Sequence, residues 1–279
     1  MTESKTIVIT GCSSGFGRAA ALRLARRGWR VFATVRKDAD RVSLLAEAAG
    51  APLEVCLCEL TDAAQVAALA QAVLAQAPRL DALLNNAGTA FPGPLELQPI
   101  ADLRRQLEVN VIAQAAVTQA LLPALKAARG VILNVSSMGG RVAFPVTGAY
   151  HASKFALEAL SDAWRIELAP LGVRVVVIEP GGSPTAIWGS GEKNGAAALE
   201  DPRAAAYRPL IDRYLKLADA SARHGFPPEQ LAALVERVLA APRPRARYVL
   251  PARAGLNIFL RQLLPDAVWD FALRRIFRW

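Results

Sequence analysis

KTIVITGCSSGFGRAAALRLARRG, residues 5–28, holds a strand, a turn and a helix in immediate succession. TIVIT is apolar and β-branched over the length of one buried strand. Glycines at 11, 15 and 17 follow at once, and AAALRLARRG then takes up the helical period. In this setting the glycines imply more than a turn. They permit a tight reversal and a close backbone approach, and the helix start offers unpaired N–H groups and a positive dipole end to a pyrophosphate. A P-loop would carry a lysine after the last glycine, where Arg18 stands instead. The segment that would hold such a group is Gly11, Ser13, Ser14, Gly15, Phe16, Gly17 and Arg18.

The same alternation continues along the chain. RVFATV precedes a helical region at 38–50, and LEVCLCEL precedes AAQVAALAQAVLAQ. DALLNNAG, GVILNVSS and VRVVVIEP supply three further strands, separated by helical stretches around 101–128 and 151–170. Strands that alternate with helices imply a parallel sheet covered on both faces, because right-handed crossovers place the helices there. The expectation is an α/β, doubly wound Rossmann fold of about seven strands. After Pro180 the rhythm breaks into GGSPTAIWGSGEKNG and an irregular helical piece near PLIDRYLKLAD, as an inserted lid over a site would read. PPEQLAALVERVLAA resumes as a helix, ARYVLP reads as a last strand, and AVWDFALRRIFRW closes the sequence as a basic amphipathic tail. With no linker or repeat, residues 1–279 read as one domain: a core to 180, a lid at 181–226, and the remainder at 227–279.

Composition narrows the function. Of the 279 residues 53% are hydrophobic, ample for a large core. MTESK passes straight into TIVIT with no secretory pattern, and no uninterrupted apolar run reaches spanning length. Three cysteines, Cys12, Cys56 and Cys58, suggest no disulfide framework and fit a reducing cytoplasm. They match no metal-ligand spacing with the two histidines, so no metal is expected. His151 reads as a packing residue and His224 as a loop residue. The net charge of +9 lies mainly in the tail, where residues 243–279 hold eight arginines against two aspartates. No nucleic-acid module accompanies that charge, so no nucleic-acid partner is expected. Val268, Ala272 and Ile276 share one side of the tail helix. That helix is expected to pack on its own domain, on another subunit, or on an anionic membrane surface.

Two further stretches carry chemistry. ATVRKD ends the second strand, where an acid would bind the ribose 2′-OH of NAD and an arginine the 2′-phosphate of NADP. Val35 holds the acid's place and Arg36 follows, which predicts NADP(H) over NAD(H), with Arg18 assisting. GAYHASK, 148–154, sets Tyr150 and Lys154 four apart on one helical face. An ammonium near a phenol favours the phenolate, which moves the tyrosine toward useful proton exchange.

Taken together, the glycine pattern at 10–17, NNAG at 85–88, Asn110, Ser137, YHASK at 150–154 and PG at 180–181 resemble the short-chain dehydrogenase/reductase family. Order and spacing match from the first strand to residue 185, and the motif detail is nearest to hydroxysteroid and retinol dehydrogenase-like members. The resemblance implies an NADP(H)-dependent oxidoreductase that interconverts a ketone or aldehyde and an alcohol. It assigns Tyr150 as general acid or base, and Lys154 to the phenolate and the nicotinamide ribose. Ser137 would hydrogen-bond the substrate oxygen, and Asn110 would hold a relay water. Spacing favours Ser137 over its neighbour Ser136. The resemblance also places Leu60, Asn85, Asn86, Ala87 and Gly88 on the adenine side, and Pro180, Gly181, Ser183 and Thr185 near the nicotinamide. Glu59 stands where an aspartate usually touches the adenine, and Ser183 where an aliphatic residue is common. Met138 and Trp188, with the apolar loops MGGRVAFPV and TAFPGPLE, would line a lipophilic substrate of steroid, retinoid or acyl type. The family further implies a homo-oligomer formed through the helices around 101–128 and 151–170. A rival reading is a dinucleotide-binding regulator without turnover, which would have no need of Asn110, Ser137, Tyr150 and Lys154 together.

Overall fold

The structure, a computed structural model, describes residues 4–185 and 187–279, apart from the side chains of 188–190 and 192. The chain begins with β1 (Thr6–Ile9), α1 (Gly15–Arg26), β2 (Arg30–Val35), α2 (Asp38–Ala48), β3 (Leu53–Leu57), α3 (Ala63–Gln76) and β4 (Ala82–Asn85). It continues through α4 (Ile100–Leu107), a π-helical turn (Glu108–Ile112), α5 (Ala113–Ala128), β5 (Val131–Val135), α6 (Gly148–Leu168) and β6 (Arg174–Pro180). The last part comprises α7 (Ile187–Leu199), α8 (Arg208–His224), α9 (Pro228–Ala240), β7 (Arg247–Leu250), α10 (Gly255–Leu263) and α11 (Asp266–Phe277).

Seven strands form one parallel sheet in the order β3-β2-β1-β4-β5-β6-β7. Alternation along each strand feeds two cores. Ile7, Ile9, Leu84 and Leu133 turn toward α1, α2 and α9, whereas Val8, Leu83 and Ile132 turn toward α3, α5 and α6. These strand side chains are wholly buried, and each contributes on the order of 1.5–3 kcal/mol relative to exposure. β1 lies between β2 and β4, so the chain reverses its direction of travel across the sheet there. A crevice opens beyond the carboxyl ends of those two strands, where this fold binds its ligands.

Three segments differ from the sequence expectation. The helical stretch around 101–128 is interrupted by the π turn at Glu108–Ile112. By length and composition Ile100–Ala128 is apolar enough to cross a membrane, with mean hydropathy 1.3. Its α5 portion instead lays Ala113, Val117, Leu121 and Leu125 on the sheet as a core helix. The region read as an irregular lid is largely helical, since α7 and α8 occupy most of it. Finally, GLNIFLRQL forms α10, a nine-residue amphipathic helix to which the sequence expectation gave no element.

Candidate active site

The glycine turn after β1 is stitched to the end of β4 by Thr10. Its buried hydroxyl accepts from the backbone N–H groups of Asn86 at 2.9 Å and Ala87 at 3.0 Å. Asn86 reciprocates, donating through Nδ2 to the carbonyls of Thr10 (2.8 Å) and Gly11 (3.1 Å). Such close approach dictates the glycines. Gly11 has φ +70°, and a side chain there would begin 2.8 Å from the Ala87 backbone; at Gly17 it would run into the Asn86 amide and the Gly11 carbonyl. Ser14 caps α1 with no side-chain bond to that helix, which leaves the helix start open to an anion. Thr185 closes the turn from above, packed against Gly15. Ser13 and Ser14 are exposed, and Phe16 stacks on Phe226 with ring centroids 5.6 Å apart.

Not every predicted contact residue is directed at this crevice. Asn85 is wholly buried and donates to Thr118 (2.8 Å) and Asn134 (2.9 Å), so strand alternation turns it into the core and away from any adenine site. The Arg18 guanidinium is committed to Glu47 at 2.8 Å and to Ser43, leaving little charge to assist Arg36. Arg36 itself is exposed, with Glu59 at 3.7 Å. Glu59 also faces Arg105 at 3.6 Å and accepts from Thr61, while Leu60 beside it is buried. Ser183 donates to the Phe226 carbonyl at 2.6 Å and is buried, which makes it a clamp between the segment after β6 and the start of α9. The Trp188 side chain lies outside the described residues. A groove of about 650 Å³ runs along α1 from Ser14 to Arg27 and touches Thr185, but Ser137, Tyr150 and Lys154 do not line it.

At the other end of the crevice, Ser137, Tyr150 and Lys154 come together. Ser137 follows β5 and caps the short turn Met138–Gly140; its Oγ accepts from the Gly139 N–H at 2.9 Å and donates weakly to the Pro180 carbonyl at 3.4 Å. The Tyr150 hydroxyl lies beside Ser137, near enough for the serine to act on its pKa. Met138 is half-buried beside them. Lys154, one turn along α6, is buried and donates from Nζ to the Val135 carbonyl at 2.8 Å. Ser136 turns the other way, its hydroxyl beside the carboxyl of Glu158.

The electrostatics correct one expectation. Tyr150 is half-buried as a residue, yet burial of its hydroxyl pushes its pKa above the ordinary phenol value, with the neighbouring Ser137 opposing that rise. Lys154 lies 5.8 Å from the centroid of the tyrosine ring. Burial therefore outweighs any bias toward the phenolate in this state. Burial also lowers the Lys154 pKa to about 8, partly countered by the negative charge of Glu158.

Asn110 sits in the π turn, wholly buried, and both ends of its amide are engaged. Oδ1 accepts from the Thr89 N–H at 2.8 Å; Nδ2 donates to the Thr89 carbonyl and to Ser153 Oγ, each at 3.0 Å. Gln106 and Gln114, four residues to either side, bind Phe91, Thr89 and Ala87 in the same way. Three buried amides thus pin the loop after β4. Gly88 in that loop adjoins both Asn110 and Lys154: a side chain there would begin 3.4 Å from Asn110 Oδ1 and 3.8 Å from Lys154 Nζ. Gly181, after β6, donates its N–H to the Leu250 carbonyl at 2.7 Å.

Two further features escaped the sequence reading. His151 binds the Gly139 carbonyl through Nδ1 and Thr147 Oγ1 through Nε2, each at 2.9 Å. A carbonyl only accepts, so Nδ1 carries the proton and Nε2 accepts from the threonine; burial lowers the histidine pKa and keeps the ring neutral. The packing role expected of His151 therefore includes holding the turn that carries Ser137. Behind Lys154, Arg247 reaches Glu158 (3.1 Å), Asp162 (2.8 Å) and Glu179 (3.4 Å), and Arg141 meets Glu179 at 3.1 Å. Glu158 was visible four residues past Lys154, but its arginine lies 89 residues away. Among the described residues, no group of three or more His, Cys, Asp or Glu is placed to hold a metal ion.

Comparison with known proteins agrees with this arrangement. The sequence model of the short chain dehydrogenase family matches residues 5–195. An NADPH-dependent 3-dehydrocapnine reductase of Ornithobacterium rhinotracheale is 34% identical over 94% of each chain. Retinol dehydrogenase 5 of Mus musculus is 36% identical over 96% of this chain and 87% of its own. Among solved structures, a short chain dehydrogenase/reductase from Burkholderia phymatum in complex with NAD superposes with a TM-score of 0.82 at 25% identity, covering 94% of each chain. The chain belongs to the short-chain dehydrogenase/reductase family and is an oxidoreductase that works with a nicotinamide dinucleotide.

Proposed function

We propose that this oxidoreductase interconverts a lipophilic ketone or aldehyde and the corresponding alcohol, with Tyr150 as general acid and base and NADP(H) as cofactor. The observation that carries the reading is the adjacency of Ser137 and Tyr150, with buried Lys154 one helical turn from the tyrosine. A dinucleotide fits the crevice because the start of α1 is uncapped by side chains, and Gly11 and Gly17 let the turn that presents it close tightly against Ala87 and Asn86. When bound, the nicotinamide supplies or accepts the hydride.

The chain's own residues manage the proton and the oxygen. Tyr150 donates its phenolic proton to the carbonyl oxygen during reduction, and a raised pKa keeps that proton in place at neutral pH. Because the Ser137 oxygen already accepts from Gly139, its hydrogen is free to leave the long Pro180 contact and donate to the same substrate oxygen. Lys154 stays charged below about pH 8, which stabilises the phenolate left after proton transfer. We assign the nicotinamide ribose to Lys154 as well, and the relay water to the neighbourhood of Asn110. The adenine side falls to Gly11, Ser13, Ser14, Arg36, Glu59, Leu60, Asn86, Ala87 and Gly88.

Arg36 supports NADP(H): its guanidinium is exposed at the end of β2, with only a loose contact to Glu59, and can form paired bonds with a 2′-phosphate. A lipophilic substrate is supported by Phe144, which packs edge-on to His151 at 5.6 Å in the loop after Ser137, and by the retinol dehydrogenase relative. We read 1–279 as one domain, with 181–226 as the substrate lid, working as a homo-oligomer in the cytoplasm. Three free cysteines accord with that compartment.

The test is oxidation of NADPH and NADH, in parallel, by the wild type and Tyr150→Phe across steroidal, retinoid, aliphatic and sugar carbonyls. Turnover with NADPH on lipophilic carbonyls, abolished in the variant while NADPH affinity stays near wild type, is the expected result. Substantial activity in Tyr150→Phe overturns its role, and preference for sugars overturns the substrate class.

A further inference from the structure

Among the described residues, seven of the seventeen large apolar side chains left exposed lie in the last 24 positions, under a tenth of the chain. Leu256, Phe259 and Leu263, each about 60% exposed, fall three and four residues apart and make one outward stripe on α10. Val268 and Phe271 do the same on α11, where the Arg275 guanidinium lies 5.1 Å from the Phe271 ring. These are not the side chains that anchor the helices. Ile258 buries α10, and Phe277 buries α11 in a cluster with Val146, Leu210 and Tyr214. The outward apolar residues are thus surplus to folding.

Charge surrounds them. Among the described residues, Arg253, Arg274, Arg275 and Arg278 have no carboxylate within ion-pair distance, while Arg261 is held by Asp266. Exposed phenylalanines and leucines interleaved with unpaired arginines match an anionic lipid surface, which accepts the apolar side chains and neutralises the guanidinium groups together. A second copy of this chain matches less well, because symmetric pairing of the patch brings the same arginines toward each other. Both helices are also rooted in the walls of the cleft. The turn leading into α10 packs Ala254 against Gly181, and Phe277 of α11 packs against Phe144, which touches His151 beside Tyr150.

We propose that α10 and α11 form a peripheral binding surface for an anionic lipid bilayer, which holds the substrate cleft close to the membrane. The inference rests on this patch and does not depend on turnover, so failure of one reading leaves the other standing.

Co-sedimentation tests it, using wild type and a Phe259→Glu/Phe271→Glu double variant with phosphatidylcholine vesicles containing or lacking 30% phosphatidylglycerol. Wild type is expected to partition onto the anionic vesicles, to come off as salt rises, and to bind the neutral vesicles far less. Loss of the two phenyl groups from the bilayer contact is expected to weaken partitioning about a hundredfold, about tenfold for each. Turnover of a water-soluble carbonyl and the thermal midpoint should stay within error of wild type, since both side chains are exposed. Wild type remaining in the supernatant, or a double variant that binds equally well, overturns the proposal. So does a fall in oligomer size on substitution without any vesicle binding, which would make the patch a contact between copies.

Discussion

Replacing Lys154 with methionine should stabilise the protein while destroying its activity, and the size of the stabilisation follows from the site. The ammonium is buried and its pKa falls from 10.5 to about 8. The unfolded chain therefore holds this proton more tightly than the folded one between those values, and folding carries a penalty wherever the folded lysine is charged. A displacement of about 2.5 pH units corresponds to about 3 kcal/mol. The penalty is fully present below about pH 8, shrinks as pH rises toward 10.5, and is absent above it. Methionine fills similar space without charge. Loss of the Val135 bond and of a cation near Glu158 offsets part of the gain, so about 1–3 kcal/mol is expected at pH 7. Urea denaturation of cofactor-free wild type and Lys154→Met at pH 7 and pH 10.5 measures the gap directly, since titrating groups remote from Lys154 cancel in the difference. A gap favouring the variant at pH 7 that closes by pH 10.5 is expected. A variant less stable than wild type at pH 7, or a gap independent of pH, would refute the reasoning.

Other perturbations probe separate parts of the site. Arg36→Ala should raise the Kd for NADPH about tenfold or more and leave that for NADH unchanged, read by fluorescence titration. Gly17→Ala places a methyl group against the Asn86 amide and the Gly11 carbonyl. It should cost about 1–3 kcal/mol in denaturation and weaken cofactor binding of either kind. Arg247→Met leaves Glu158 and Glu179 without their shared cation and should destabilise by on the order of 2 kcal/mol, below the figure for wholly enclosed pairs because Arg247 is partly exposed. Adding Glu158→Gln should recover part of that loss in the same assay.

Local patterns carried the fold, the glycine turn and the proposed trio of Ser137, Tyr150 and Lys154 a long way. Strand and helix periods are properties of neighbouring residues, and a parallel sheet follows from their alternation. Gly11, Gly15 and Gly17 announce a backbone that must approach something closely, and Tyr150 and Lys154 share a helical face by spacing alone. That same spacing left Asn85 and Asn86 indistinguishable. Only strand alternation within the assembled sheet sends one into the core and the other to the glycine turn. Nor did the chain order show that α10 turns Leu256, Phe259 and Leu263 outward and buries Ile258, since that depends on where the helix meets the rest of the fold.

The sequence by itself determined the family and the parallel α/β architecture, and it singled out Ser137, Tyr150 and Lys154 as candidates, because each is written in residue types and spacings along the chain. Tertiary structure alone decided the charge state of those groups. Desolvation of Tyr150 and Lys154 depends on which distant segments enclose them, and the carboxylate that counters it, Glu158, is held by an arginine 89 positions away. Burial and long-range charge have no sequence period, so the proton chemistry of the site becomes legible only once the chain is folded around it.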